Sequence, residues 1–434
     1  MNNITLYEHV AQKCDKLSES ELREIERIND LHWREILEIW RNKFLKAKQF
    51  VWTLRVWSRN IQILPKILWD IENTNSNSEK QNPKKQRIIK NLMYMLSYTK
   101  KLSIKESDIA QLWEIDDLFE VFIYLYAKDL LQLLKKDFKK TYNSITENSS
   151  FLKWKLLFSR HILKNQFNAA KFFVHYETMD ENTLLNIFLS SVCHKLFSIT
   201  KSQTSKKLLQ KCLFIMKDIK TYHFASLNEL KNISITRHNK NYENVFGLWK
   251  MLYFWNSPDF SNQKIENFSI LFDMNVLFEE FIYEFLKRNK HTIHESIDTV
   301  NSQVAKKYVF RDNKFSLRPD VVIDFKNRER CIIDTKYKKL WWTSYNWVSS
   351  WDIYQMLTYW LRYFEDQDTR EKNMVLLYPD YDTKDYSTCY ESNEWIRIHI
   401  WTISLSMNLW TEKWKQQLVY TLWEIVRNTN TINN

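Results

Sequence analysis

The stretch Leu317-Arg318-Pro319-Asp320-Val321-Val322-Ile323-Asp324-Phe325, continued by Arg330-Cys331-Ile332-Ile333-Asp334-Thr335-Lys336, decides the fold. The runs DVVIDF and RCIIDTK read as two strands, rich in β-branched and apolar residues. The connection Lys326–Glu329 is tight, which makes them antiparallel neighbours. Thirteen residues separate Asp320 from Asp334, so Asp320 opens the first strand at the end where Asp334 closes the second. Residues two apart in a strand share a face, so Asp334 and Lys336 point together, with the Thr335 carbonyl nearby. Two charges closing an otherwise apolar CIID run are costly to bury without compensation.

Working outward, Asp273–Arg288 (DMNVLFEEFIYEFLKR) has helical spacing, and AKKYVF (Ala305–Phe310) is strand-like. Trp351–Phe364 predicts a helix, Asn373–Pro379 a buried strand and Trp395–Ile403 a further strand before a closing helix. The order α-β-β-β-α-β predicts a mixed sheet flanked by helices over residues 260–434, an α/β arrangement. Upstream, residues 1–71 read as a small α+β module, with a helical pattern around Ser20–Trp40 and strands at Phe50–Val56 and Asn60–Ile67. Residues 72–86 hold the polar segment Asn73–Gln86, which reads as a linker. Residues 87–259 read as a mostly helical middle region. Its basic pairs Lys135/Lys136, Lys139/Lys140 and Lys206/Lys207 read as solvated helix faces.

The 434 residues suit about two to four domains, and a net charge of +12 with 44% hydrophobic residues excludes a disordered tail. No run approaches ~20 uncharged apolar residues, and the start lacks a basic then apolar leader pattern. A soluble, cytoplasmic protein is expected. The five cysteines are scattered with no C-x-x-C pair, so neither a zinc cluster nor a disulfide framework is expected. One number is abnormal: average usage of about 7% predicts roughly thirty glycines, yet Gly247 stands alone, beside 19 tryptophans. Several tryptophans occupy turn-like places, such as Trp57. We expect that UGA codons meaning glycine were translated as tryptophan. Neither a P-loop nor a G-x-G-x-x-G element is present, even with every tryptophan read as glycine, so this chain is not expected to hydrolyse nucleotide.

Two carboxylates and an ammonium at one end of a hairpin suit Mg²⁺, a hard ion that takes one or two carboxylates, substrate phosphate and water. The metal lowers the pKa of a bound water and neutralises transition-state charge. Lys336 could orient or deprotonate that water, or stabilise developing charge. Gln355 and Tyr359, four apart on the following helix, share a face and can hydrogen-bond to phosphate or to the metal-bound water.

RPD…DTK followed by QMLTY resembles the PD-(D/E)xK nuclease superfamily, in the branch with a Q-x-x-x-Y element. The wider string FDMNVLFEEF…LRPDVVID…CIIDTKYK…DIYQMLTY…LLYP resembles the McrC family, the nuclease subunits of McrBC modification-dependent restriction systems. ENSSFLKWKL, ENTLLNIF and FVWTLRVWSRNIQILPKI extend the likeness upstream, with Trp52, Trp57 and Trp154 standing at expected glycines. The resemblance implies a PD-(D/E)xK domain at residues 260–434 and a Mg²⁺-dependent DNA endonuclease. It also implies a partner, a hexameric AAA+ GTPase of the McrB kind that binds the GTP and recognises modified, methylcytosine-bearing double-stranded DNA. Asp320 and Asp334 would be metal ligands and, with Lys336, catalytic residues. Gln355, Tyr359 and Glu279 would support them, with Glu280 an equal claimant to the place of Glu279. Trp341, Trp342, Trp347 and Trp351 crowd the loop after the lysine, where they depart from the family pattern.

Two other readings stand beside it. One is a non-catalytic activator of the GTPase with a vestigial nuclease domain. The other is a general basic nucleic-acid-binding protein, which the charge supports but which needs no carboxylates at strand ends. Cys193-His194 lies in an apolar helical run and is not expected to form a catalytic dyad.

Overall fold

A computed structural model describes residues 4–429 except 16, 33–34, 41–42, 57–58, 67–80, 100–103, 113–114, 116, 137–139, 234–241, 255–271, 304–306, 311, 328, 339, 341–347, 365–371, 381–386 and 393–395. The chain divides into two compact units, one of Met1–Leu118 with Lys264–Asn434 and one of Phe119–Gln263.

The first unit opens with β1 (Ile4–Tyr7), β2 (Ala11–Lys13), α1 (Glu19–His32), β3 (Leu37–Trp40), β4 (Phe44–Ala47), β5 (Phe50–Val56) and β6 (Arg59–Leu64). Ser18 starts α1 through a reciprocal cap with Glu21. The helical pattern expected to run to Trp40 stops at His32. Asn29 explains the stop: its carboxamide accepts from the amides of Ile36 and Leu37 and donates to the Leu37 carbonyl. Backbone groups that a longer helix would pair internally are thereby claimed by a strand. Leu6, Ile25, Leu45, Phe50, Ile61 and Ile63 form a core beneath these strands. Of the expected linker 72–86, residues 72–80 lie outside the described residues, and Gln81–Gln86 already belong to helix α2 (Gln81–Tyr98). Helix α3 (Glu106–Gln111) follows.

The second unit holds α4 (Leu118–Lys136), β7 (Thr141–Ser149), β8 (Lys155–Leu156), α5 (Phe158–Asn165), β9 (Phe172–Asp180), α6 (Leu184–Ile199), α7 (Gln203–Ile215) and α8 (Glu243–Phe254). A three-stranded antiparallel sheet, ordered β7-β9-β8, interrupts the expected helices. The sequence TYNSITENS carries no apolar period, because β7 is almost wholly exposed. Its pairing rests on the backbone ladder and on polar partners such as Lys153, Glu147 and Tyr176.

The chain then returns to the first unit. Strand β10 (Phe272–Asp273) joins the N-terminal sheet, in the order β1-β6-β5-β10. Asp273 caps helix α9 (Met274–Ile293) by accepting from Asn275 N. Next come β11 (Ile297–Ser302), β12 (Lys307–Tyr308), β13 (Ser316–Leu317), β14 (Val321–Phe325), β15 (Arg330–Thr335), α10 (Ser350–Tyr363), β16 (Lys372–Asp380), β17 (Ser387–Glu391), β18 (Ile396–Ser404) and α11 (Glu412–Thr429). Six strands make one mixed sheet, ordered β11-β14-β15-β16-β18-β17. The β14–β15 pair is antiparallel, as its tight connection requires, and β15, β16 and β18 run parallel. Helices on both faces complete a mixed α/β architecture. Edge strands β11 and β17 were not foreseen, because IDTVNS and STCYE are mostly polar and partly exposed. Of the expected strand Ala305–Phe310, Ala305 and Lys306 lie outside the described residues, and Lys307–Tyr308 pair with Ser316–Leu317.

No tryptophan is among the described residues with positive φ, which are His9, Lys43, Gln303, Asn313 and Phe315. Trp249 and Trp414 are core residues, at 0% and 2% exposure, whereas Trp154 and Trp351 are 84% and 80% exposed. Trp401, at 7% exposure, is buried as well. Trp57 lies outside the described residues. Among the described residues no helix is long and apolar enough to cross a membrane.

Candidate active site

The register of β14 on β15 pairs Val321 with Ile333, so Asp320 and Asp334 face each other one step further along. Asp334, the next-to-last residue of the buried strand β15, is 0% exposed. Asp320 Oδ2 accepts from both the amide and the hydroxyl of Thr335, each at 2.7 Å. Lys336 Nζ lies 2.5 Å from Asp334 Oδ2, which takes no other hydrogen bond. The same ammonium donates to Gln355 Oε1 at 2.9 Å. Gln355 Nε2 donates to Asp334 Oδ1 at 3.3 Å and to the Tyr359 hydroxyl at 2.7 Å. Tyr359 in turn donates to the Arg318 carbonyl at 3.2 Å. Helix α10 thus reaches across the strand ends with the two residues that share its face, and four of the six expected site residues, Asp334, Lys336, Gln355 and Tyr359, belong to one hydrogen-bonded group, with Asp320 beside it on Thr335.

Glu279, the sixth, projects from α9 and accepts from Gln303 Nε2 at 2.6 Å. Its carboxyl is pushed up to about 7, first by burial and then by the charge of Asp320. Glu279 thus lies within electrostatic reach of Asp320 and Asp334. Burial, followed by repulsion from Asp320, likewise pushes Asp334 up to about 7. Burial also raises Asp320, against the two Thr335 hydrogen bonds that favour its charged form. For Lys336 burial works to lower the pKa, but attraction to Asp334 and then Asp320 outweighs it and the net shift is upward. Tyr359 is raised by burial and by Asp334. Three carboxylates in mutual repulsion with one ammonium among them form a site that favours an added cation.

No group of three or more His, Cys, Asp and Glu able to hold a metal occurs among the described residues. Mg²⁺ does not need one, since two carboxylates with water and phosphate suffice. The singly engaged, buried Asp334 Oδ2 and the adjacent Asp320 carboxylate fit that requirement.

Two neighbours escaped the sequence reading. Asp352 Oδ2 accepts from the Tyr378 hydroxyl at 2.8 Å and pairs with Lys338 at 2.5 Å, and its charge bears on both Asp334 and Lys336. Its spacing of three from Gln355 on α10 was the available signal. Gln303, held at φ 45° with its amide on the Pro319 carbonyl, had none. Trp341, Trp342 and Trp347 lie outside the described residues. Cys193 is buried with Sγ on the Leu209 carbonyl, while His194 is exposed on the next helical position, so they make no dyad.

The chain matches, over residues 45–379, the model of the family described as McrBC 5-methylcytosine restriction system component. It is similar to the type IV methyl-directed restriction enzyme EcoKMcrBC of Escherichia coli (strain K12). The two are 24% identical over 319 residues, 68% of this chain and 86% of that protein. Its fold is similar to a chain of the refined half-complex of Thermococcus gammatolerans McrB AAA+ hexamers with bound McrC. There the TM-score is 0.71 at 20% identity, covering 98% of this chain and 100% of that one. A chain of the cryo-EM structure of the Thermococcus gammatolerans McrBC complex gives a TM-score of 0.51 at 26% identity, over 67% of this chain and 88% of that one. The family match spans Glu279, Asp320, Asp334, Lys336, Gln355 and Tyr359 together, and the chain belongs to the McrBC 5-methylcytosine restriction system component family as a McrC-like member.

Proposed function

We propose that this chain is the endonuclease subunit of a methylcytosine-directed restriction system, hydrolysing DNA phosphodiesters with Mg²⁺ at a PD-(D/E)xK site. The observation that carries the reading is the single hydrogen-bonded group joining Asp334, Lys336, Gln355 and Tyr359 beside Asp320. Asp320 and Asp334 would hold the metal, which supplies an activated water and charge neutralisation at the phosphate. Lys336, kept protonated by its carboxylate neighbours, donates toward the charge that develops on the phosphoryl oxygens. Gln355 fixes the lysine and Asp334 with the two ends of one carboxamide, so neither side chain reorients when substrate arrives. Tyr359 holds that carboxamide in the required orientation. Thr335 aims the Asp320 carboxylate toward Asp334.

The partner is an AAA+ GTPase of the McrB kind, which binds the GTP and selects methylated double-stranded DNA. Support comes from the relatives, one solved with McrB AAA+ hexamers, and from a P-loop-free sequence. Exposed Phe151, Trp154, Leu163 and Phe167 on the second unit give an apolar surface of the kind that partners cover. The test is cleavage of methylated and unmethylated plasmid by the full chain with Mg²⁺, with and without the cognate GTPase and GTP. Cleavage that requires Lys336 and the partner supports the reading. Stimulated GTP hydrolysis with no cleavage would instead favour an activator with a vestigial site.

A further inference from the structure

The segment that follows Lys336 is gripped from outside the six-stranded sheet. Tyr337 is 4% exposed, and its ring centre lies 5.8 Å from that of Phe278, the residue before Glu279. Facing the same ring is the ammonium of Lys66, 4.9 Å from the ring centre. That ammonium also donates to the Tyr337 carbonyl at 3.2 Å, across 271 residues of sequence. Lys66 is only 6% exposed, and lysine is almost never buried so deeply without a partner. The opposite charge that acts on Lys66 is Glu8, 0% exposed, which follows β1 and has His9 Nε2 3.7 Å from its Oε1. Glu8 accepts from the Lys66 amide at 3.3 Å, and the Lys66 charge favours its ionised form. Asp273, the cap of the helix that carries Glu279, also bears on Glu8.

A buried pair of this kind gives little net stability, because desolvation offsets the attraction, so a role in fixing geometry deserves a test. We infer that Glu8 and Lys66 form a clamp that positions Lys336. The Lys66 ammonium fixes the Tyr337 carbonyl and ring, and through them the direction in which β15 delivers Lys336. The contact of Tyr337 with Phe278 sets the helix bearing Glu279 against the same point. The residues act through Tyr337 and touch no reacting atom. The catalytic consequence rests on the nuclease reading, whereas the clamp itself rests on geometry alone.

The decisive variant is Glu8→Gln combined with Lys66→Met in the full chain. It removes both charges at nearly constant volume and leaves no lone buried charge, so the fold survives. Hydrogen exchange is followed across Lys336–Lys338, whose amides at 336 and 338 are bonded to the carbonyls of Leu377 and Lys336. In the double variant, exchange there speeds up by about tenfold or more, while β14 and β16 keep their protection. In the complete complex, kcat for cleavage falls roughly 10- to 100-fold with DNA affinity unchanged. Unchanged exchange at 336–338 overturns the clamp, and so does looser exchange with wild-type kcat. A purely structural pair would instead lower Tm for Lys66→Met alone and regain both Tm and kcat in the double variant. Should the wild-type protein cleave nothing, the nuclease reading falls, and the exchange experiment alone decides whether the clamp exists.

Discussion

Lys336 donates to Gln355 Oε1 at 2.9 Å, and the other end of that carboxamide donates to Asp334, so one glutamine spans the ion pair from a separate helix. If Gln355 serves as this brace, Gln355→Ala lowers kcat by roughly 10- to 100-fold and barely alters DNA binding. Tyr359→Phe removes the hydroxyl from Gln355 but leaves the brace in place, so its loss should be smaller, about five- to tenfold. Single-turnover cleavage rates would separate the two, and equal losses would argue against the brace.

Lys336→Ala should reduce cleavage by about 10²–10⁴-fold. Deleting the ammonium also leaves Asp334 buried beside Asp320 without its counter-charge, so Tm should drop as well. Asp334→Asn should abolish cleavage while raising the Tm of metal-free protein at neutral pH, since it removes the repelled carboxylate. A fall in Tm for Asp334→Asn would show that the pair stabilises the fold.

The raised pKa of Asp334 fixes the sign of a pH effect. In metal-free protein the folded form holds this proton up to about pH 7, whereas the unfolded chain releases it near the ordinary carboxylate value of about 3.9. The contribution to stability is therefore complete below about pH 4 and lost as pH rises through about 7. Urea midpoints in EDTA should show wild type losing ground to Asp334→Asn across that window. Added Mg²⁺ should stabilise wild type and leave the variant unmoved. A constant difference between the two proteins with pH would rule out the carboxylate as the source.

His399 acts in the opposite sense. It is 9% exposed beside Asn373, and burial lowers its pKa to about 4. The unfolded chain takes up this proton first as pH falls below the ordinary value of about 6.5. Stability owed to the neutral ring is therefore present above about 6.5 and lost on the way down to about 4. His399→Gln should flatten the acid side of the stability profile, and an unaltered acid limb would refute this.

The tryptophans divide by burial. Trp154→Gly, in an exposed loop, should shift Tm little, and Trp351→Gly should cost about 1 kcal/mol through helix propensity alone. Trp249→Gly and Trp414→Gly should each cost about 3–5 kcal/mol or more, as large side chains removed from a core do. Codon assignment at all four positions checks the same division independently.

The paired strands Val321–Phe325 and Arg330–Thr335, and the helix after them, were legible because apolar runs and a short connection leave few arrangements. Asp320, Asp334, Lys336, Gln355 and Tyr359 were legible as a set because strand and helix periods place them toward one point. What escaped was carried by contacts with no local signature. The polar hairpin Thr141–Ser149 with Phe172–Asp180 has no apolar alternation to betray it. Gln303 reaches Glu279 from a turn, and Glu8 and Lys66 come from the far end of the sequence. The tight Asn29 stop to the first helix depends on a partner strand that lies beyond it.

The two-residue strand Phe272–Asp273 sets a schedule for biosynthesis. The N-terminal sheet is finished only when these residues pair with Phe50 and Val51, roughly two hundred residues downstream of the hairpin they cover. At about 5–20 residues per second, the Phe50–Val56 edge stays open on the ribosome for tens of seconds. The second unit is complete before that strand emerges, and the open edge must avoid pairing with other nascent chains until it does.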